Sequence, residues 1–441
     1  MHCMTVEKLG VPTAPIVTHV FRDLVEAVAF KGGMAKLRFV FVPHPVGGQP
    51  PSGLRAYALG SDSLTGRPVL DEINEALAKP LTKEDEAAPT DRSVPRLVEP
   101  DTEEHLHRLF LEKGWTDGLP VVLPTARKVA EMLSATSRRP DEVVGRMRPT
   151  QTQEDWEYTV EKVAVNAVMA GAEPSFFPVI LALAATQETA LHSSTSSFAS
   201  MAVVNGPIRH EIGMNGGIGA LGPFNHANAS IGRAYSLLSR NLGGGAVPGI
   251  TYLASQGNPL TYNGLCFPEN EERSPWEPFH VSRGFRPDES VVSVFRGRGM
   301  SHLLDVRPKT WRRQFTDLVA GITPSPGNNL TLLLDPLVAR TLKEREGFDT
   351  KARLSEWFHE NSRVLAEVYW DYQLVINYIE PQARKGVEPF ASWLKAPGDA
   401  LIPRFSDPGG INVVVVGGET NAYWFAAEFA YLTSRSIDEW R

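Results

Sequence analysis

The chain reads as an α/β protein: a small Rossmann-like N-terminal unit followed by a larger mixed α/β domain. Three observations predict this. A strand–helix–strand rhythm occupies the first part of the chain. A charged, proline-bearing stretch without hydrophobic period follows it. Beyond that, strongly apolar helical stretches alternate with short β-rich runs.

In order, "MHCMTVEKLG" reads as the end of a helix stopped at Gly10, and Val11 to Thr18 as a buried strand. "FRDLVEAVAFKGG" is an amphipathic helix closed by glycine, and "LRFVFVPHP" a second strand ending in a Pro-His-Pro loop. "LDEINEALAKPL" adds a helix, so the first unit spans residues 1–80. "TKEDEAAPTDRSVPRLVEPDT" predicts a linker over 81–102. The larger domain, 103–441, holds the helices "EEHLHRLFLEKGW", "WEYTVEKVAVNAVMAGA" and "SFFPVILALAATQETAL", the last two apolar enough to be buried on most sides. "MAVVNGPI", "ESVVSVFRG", "NLTLLLDP" and "INVVVVGGET" predict strands, and "LVARTLKEREG" and "TKARLSEWFHENSRVLAEVY" predict helices.

Composition narrows the partners. Hydrophobic residues make up 42% and charged residues 22%, the balance of a protein with a sizeable core. A net charge of −7 argues against nucleic acid or an anionic membrane as partner. There is no spanning apolar run and no signal pattern, so a cytoplasmic protein is expected. Two cysteines, Cys3 and Cys266, exclude a disulfide framework and a cysteine-rich metal site. Either could be a reactive thiol; for Cys266 the competing reading is a small buried hydrophobe.

The densest functional candidate lies between Asn205 and Arg233, in "RHEIGMNGGIGALGPFNHANASIGRAYSLLSRNLGGG" and the strand end before it. Glycine-rich loops ahead of a helix turn backbone N–H groups toward an anion or a carbonyl oxygen. Asn205, Asn215, Asn225, Asn228, Ser230 and Arg233 supply hydrogen-bonding groups around that backbone and predict a substrate-binding set. The competing reading makes the asparagines caps and left-handed turn residues. The block is neither a Walker loop nor a dinucleotide fingerprint.

His44 ends a predicted parallel strand, the edge where ligands bind in open α/β sheets, and His210 sits inside the glycine block; both are candidate proton carriers. Glu161 is a third catalytic candidate, on an apolar helix with Lys162 and Asn166, against the alternative of a solvated ion pair. Glu269, Glu271, Glu272, Glu277 and His280 read as an acidic surface lid, with carboxylate metal binding the minority alternative, so no metal is assigned. The His192–Thr195 stretch has serines beside a histidine but no nucleophile elbow. The glycine pair in "VVVVGGET" marks a place where a ligand approaches the backbone.

"GVPTAPIVTHVF", "LRFVFVPHPVGG", "GWTDGLPVVLPT", "TVEKVAVNAVMAGAEP", "VVNGPIRHEIGMNGG", "NASIGRAYSLLSRNLGG" and "SPWEPFHVSRGF" together resemble the UGSC-motif family. That family is named for a selenocysteine-Gly-Ser-Cys motif, often with cysteine in the first place. The N-terminal unit is similar, more faintly, to the B-type selenoprotein subunits of glycine and betaine reductases. The resemblance implies thiol- or selenol-linked redox chemistry, or nucleophilic attack on a small organic substrate. This chain has no Cys-Gly-Ser-Cys, and Cys3 falls inside the predicted helix. One expectation is a separate thiol- or selenocysteine-bearing partner chain; another is an upstream UGA codon read as a stop.

The sequence therefore predicts an enzyme or enzyme subunit for a small polar organic substrate, acting by redox or C–heteroatom cleavage, and a homo-oligomer. The alternatives are a cofactor-free hydrolase, hydratase or lyase using His and Glu, and a non-catalytic subunit that completes a partner's site. The cofactor and the substrate are left open.

Overall fold

The computed structural model describes residues 2–79, 81, 95–147, 156–192, 194–196, 198–243, 247–250, 253–262, 264–304, 309–322, 324 and 330–441. Most of the expected linker, and Ser193, lie outside these residues. The fold is α/β, with a six-stranded mixed sheet at its centre.

The N-terminal unit runs α1 (His2–Glu7), β1 (Ile16–Thr18), α2 (Arg22–Lys31), β2 (Val40–Val42), α3 (Pro51–Leu59) and α4 (Val69–Ala78). β1 and β2 pair in parallel, Ile16 opposite Val40. The Rossmann-like expectation reaches this one parallel pair: the predicted strand from Val11 shortens to three residues, and no third strand of the unit is present among the described residues. Asp62 ties the pair to the chain beyond α3, accepting from the N–H groups of Phe41, Leu64 and Thr65.

The larger part opens with α5 (Glu103–Glu112) and α6 (Ala126–Leu133), capped by Thr102 and Thr125, whose hydroxyls accept from N–H groups three residues on. A hairpin of β3 (Val143–Met147) and β4 (Trp156–Thr159) leads into α7 (Val160–Met169) and α8 (Phe177–Ala185). The apolar sequence of α8 has the consequence expected of it: every residue of the helix is buried.

The central sheet is built from β5 (Ala199–Asn205), β6 (Leu265–Pro268), β7 (Val291–Leu304), β8 (Leu330–Leu334), β11 (Ile411–Val415) and β12 (Tyr423–Ser436) in the order β11-β8-β12-β7-β5-β6. Between them lie α9 (Ile208–Glu211), α10 (His226–Asn241), α11 (Phe279–Ser282), α12 (Trp311–Val319), α13 (Pro336–Glu344) and α14 (Lys351–Asn361). The predicted single helix "TKARLSEWFHENSRVLAEVY" breaks after Asn361. There β9 (Arg363–Leu365), α15 (Ala366–Asp371), α16 (Glu380–Arg384), α17 (Phe390–Leu394) and β10 (Leu401–Pro403) form a small unit with its own core around Tyr369, Trp393 and Ile402.

Period-two alternation sorts the apolar side chains of the sheet. Met201, Phe267, Phe295, Leu333, Val414 and Phe429, one from each strand, share a single inner cluster. Their neighbours face outward: Val204 and Val294 toward α7, α8 and α10, and Leu332, Val413 and Val415 toward α12, α13 and α14. The sheet curls far enough for its two edge strands to meet at one corner, where Asn270, just past β6, donates its N–H to the Val415 carbonyl of β11 at 2.8 Å. Long antiparallel β7 and β12 carry the curvature, with register shifts between Ala427 and Phe429 and between Tyr431 and Thr433. At the first shift any Cβ on Gly297 would collide with the Glu428 carbonyl, so only glycine fits. Among the described residues no helix is long and apolar enough to cross a membrane.

Candidate functional site

Three asparagines shape the glycine-rich loop ahead of α10. Asn225 caps the helix, accepting from Asn228 N–H at 3.0 Å, and its own amide donates to Gly213 O. Asn228 is buried; its Nδ2 donates to Asn215 O (2.9 Å) and Ala220 O (3.2 Å) while its Oδ1 accepts from Asn215 N–H. Asn215 donates to Ile218 O and accepts from Gly217 N–H. Ser230 Oγ donates back to His226 O within α10, and Arg233 forks onto Asp117 at 2.9 and 3.0 Å and donates to Pro120 O. Five of the six expected binding residues thus direct their polar atoms at the chain itself.

What they build is one wall of a cleft. The loop lies against the glycine pair that follows β11: Gly417 N–H donates to Gly216 O at 2.9 Å, and a Cβ on Gly418 would collide with Ile218. The two glycine-rich segments singled out in the sequence therefore meet, and the backbone approached by "VVVVGGET" is that of Ile218. Between them is a cleft of about 230 Å3, with Asp335, Asn421 and Tyr423 completing its lining. β8 and β11 run parallel, so the cleft opens at two C-terminal strand ends, the position at which open α/β sheets bind ligands.

Asp335 is the group in this cleft with chemistry to offer. It follows β8 and caps α13: Oδ1 accepts from Leu337 N–H at 2.9 Å and Oδ2 from Glu419 N–H at 3.0 Å. Burial holds its carboxyl above the usual range, with Glu419 adding to the effect; the two backbone hydrogen bonds and Arg340 work in the other direction. Glu419 has a φ of 60°, a left-handed conformation that is costly for a residue with a Cβ. Its carboxylate pairs with Arg340 and, at 3.8 Å, with Arg273. Asp335 was hidden in the sequence because "LLLDP" reads as a strand followed by an ordinary helix cap.

The sixth expected binding residue, Asn205, belongs to another group, at the C-terminal ends of β5 and β6. Its Nδ2 donates to Glu269 (2.7 Å) and Glu271 (2.8 Å). Glu269 is fully buried and also receives Lys351 Nζ at 2.7 Å, Phe279 N–H at 2.6 Å and Val415 N–H at 3.3 Å. Arg209 pairs with Glu271 and Glu272 at 2.9 Å each, and His210 Nε2 lies 2.8 Å from Glu272. The hydrogen bond from Arg209 holds Glu272 down to about 2, with His210 adding to it. These acids are bound by fixed cations, and among the described residues no group of three or more potential metal ligands converges. Among the described residues, fully buried His280 has neither ring nitrogen partnered, and Asn205 Oδ1 is likewise unpaired.

The remaining candidates stand apart. His44 is exposed in the N-terminal unit, its Nδ1 3.2 Å from Thr18 Oγ1 and its ring edge-on to Phe21; among the described residues no hydrogen bond joins it to the 205–233 block. Glu161 pairs with Arg96, whose hydrogen bond holds its carboxyl below the usual range. Burial lowers His192 to about 4, so the imidazole is neutral at pH 7. Burial pushes the Cys266 thiol up to about 12, and it packs among the apolar side chains beside α10. Cys3 is half-buried in α1.

The model of the UGSC family matches residues 2–61, the N-terminal unit through α3. The wider resemblance read toward the C-terminus lies outside the matched span. No curated protein and no solved structure matches the chain.

Proposed function

We propose, taking the match of residues 2–61 to the UGSC family as premise, that this chain is an enzyme or enzyme subunit acting on a small polar organic substrate in the Asp335 cleft. The reaction is thiol- or selenol-linked redox chemistry or C–heteroatom bond cleavage. The observation that carries the reading is Asp335 itself: a buried carboxyl with a raised pKa, set in a glycine-walled cleft at strand ends. Such a group holds a proton to higher pH than a solvated aspartate and delivers it to a leaving atom, while backbone N–H groups of the loops receive developing negative charge. The volume, below the roughly 300–1,000 Å3 of drug-sized sites, suits a small molecule.

In this reading a sulfur or selenium nucleophile comes from a partner chain, because the protonated thiol of Cys266 is a poor one and Cys3 sits within α1 of the N-terminal unit. The same fact favours a second reading, a hydrolase, hydratase or lyase in which carboxyl groups alone move the protons. Incubating wild type and Asp335→Asn with small-molecule extracts, with and without a dithiol, and following depletion by mass spectrometry tests both. Wild type is expected to consume a small polar compound, and the variant to lose about a hundredfold or more in rate. Asparagine keeps the cap on Leu337 N–H but loses the acceptor for Glu419 N–H, so a modest fall in melting temperature is expected and rates are compared well below it. Equal rates remove Asp335 from the chemistry. Activity that needs the dithiol selects the redox reading; activity indifferent to it selects the second.

A further inference from the structure

A second cavity, of about 650 Å3, opens along the free edge of β11, between that strand, the start of α14 and the segment after β6. Arg283 lines it. Its guanidinium carbon lies 4.8 Å from the centre of the Phe279 ring and 4.5 Å from that of Tyr431, so two aromatic faces hold it in place. Nη2 donates to Asn412 Oδ1, and the buried Nε–H has no partner among the described residues. Four other part-buried arginines of the sheet and its helices come with a carboxylate: Arg209 with Glu271, Arg233 with Asp117, Arg296 with Glu188, Arg298 with Glu428. Arg283 has an amide oxygen instead, and among the described residues no carboxylate lies within ion-pair distance of it. A positioned, half-desolvated cation whose donors are left over in a cavity is a site for an anion.

The rest of the lining limits which anion. Lys351 and Ala352 open α14 here, and their N–H groups precede the first intrahelical bond, which Leu354 makes to Thr350. Trp276, Ile411 and Val413 give apolar walls. Glu277 and Asp349 are exposed acids of the same lining and disfavour a dianion. We infer that this cavity binds a small organic monocarboxylate, its carboxylate on the Arg283 fork and the α14 N-terminus, its apolar body against Trp276 and Val413. The planar guanidinium matches a carboxylate through two parallel hydrogen bonds. The site is separate from the Asp335 cleft, which lies beyond the other end of β11, so it stands or falls independently of the proposed reaction.

Isothermal titration of the whole protein with benzoate, inorganic phosphate and benzyl alcohol decides it. Benzoate is expected to bind saturably, phosphate at least about tenfold more weakly, and the alcohol not at all. Arg283→Met should weaken benzoate by about tenfold to a hundredfold, as loss of a charge-assisted hydrogen bond does. Arg283→Lys keeps the charge but loses the planar fork, should weaken benzoate several-fold, and serves if the first variant does not fold. No saturable benzoate binding, unchanged affinity in the variants, or tighter binding of phosphate than of benzoate each overturns the inference.

Discussion

The C-terminal ends of β5 and β6 and those of β8 and β11 both present a buried carboxylate, Glu269 and Asp335, and the two are wired in opposite ways. Glu269 receives an ammonium, a side-chain amide and two backbone N–H groups, and stitches four separate segments of chain together. Asp335 receives two backbone N–H groups, has among the described residues no cation in hydrogen-bond contact, and borders an open cleft. A carboxylate whose lone pairs are all used is a fastener. One that is buried and partly used is shifted upward, as Asp335 is. Burial alone does not separate the two roles; the donor count does.

The largest expected effect breaks the fastener. Glu269→Gln leaves the Lys351 ammonium buried without its partner and should cost about 3–5 kcal/mol of stability, read by denaturant unfolding. A loss below about 1 kcal/mol would make the network ornamental. Next is the wall of the cleft. Gly418→Ala places a Cβ 2.6 Å from Ile218 N, so the loop backbone must move, at a cost of about 1–3 kcal/mol by thermal melting. Adding Ile218→Ala should recover little of it, because the clash includes main-chain atoms. Full recovery would mean that the two glycine segments meet through that side chain alone.

The smallest effect is a difference of sign with pH. The folded carboxyl of Glu272 lies at about 2, below its ordinary 4.5, so its contribution to stability is complete above 4.5 and is lost as pH falls toward 2. Asp335 is raised, so its contribution is complete below its unfolded pKa and is lost as pH rises through the folded value. Glu272→Gln should flatten the acid side of the stability profile, and Asp335→Asn should remove a decline on the way toward neutral pH. Parallel shifts of the whole profile in both variants would show that neither group titrates differently in the folded state.

Much of this framework is legible in the residues and some is not, for identifiable reasons. "MAVVNGPI", "NLTLLLDP" and "INVVVVGGET" read as strands because β-branched runs end in turn residues, and β5, β8 and β11 are found there. β12 does not announce itself: it has no turn-bounded alternation, and its pairing with β7 spans more than a hundred residues of chain. The asparagine block is dense in the sequence, yet residue type cannot say whether an amide faces a ligand or a carbonyl of its own loop. Asn215 and Asn228 choose the loop. Asp335 has the reverse history, a cap by pattern and a cleft group by position.

The corner where Asn270 meets Val415 has a consequence for the life of the chain in a crowded solution. "INVVVV" is a short, uncharged, β-branched segment, the composition that stacks into intermolecular β-sheet when its edge is bare. In the folded chain Val415 is engaged by Glu269 and Asn270, and the Ile411 carbonyl by Ser355 of α14, so both ends of that edge are occupied. The curl of the sheet is thus also a guard against self-templating. A variant that opens the corner is expected to precipitate before it finishes unfolding.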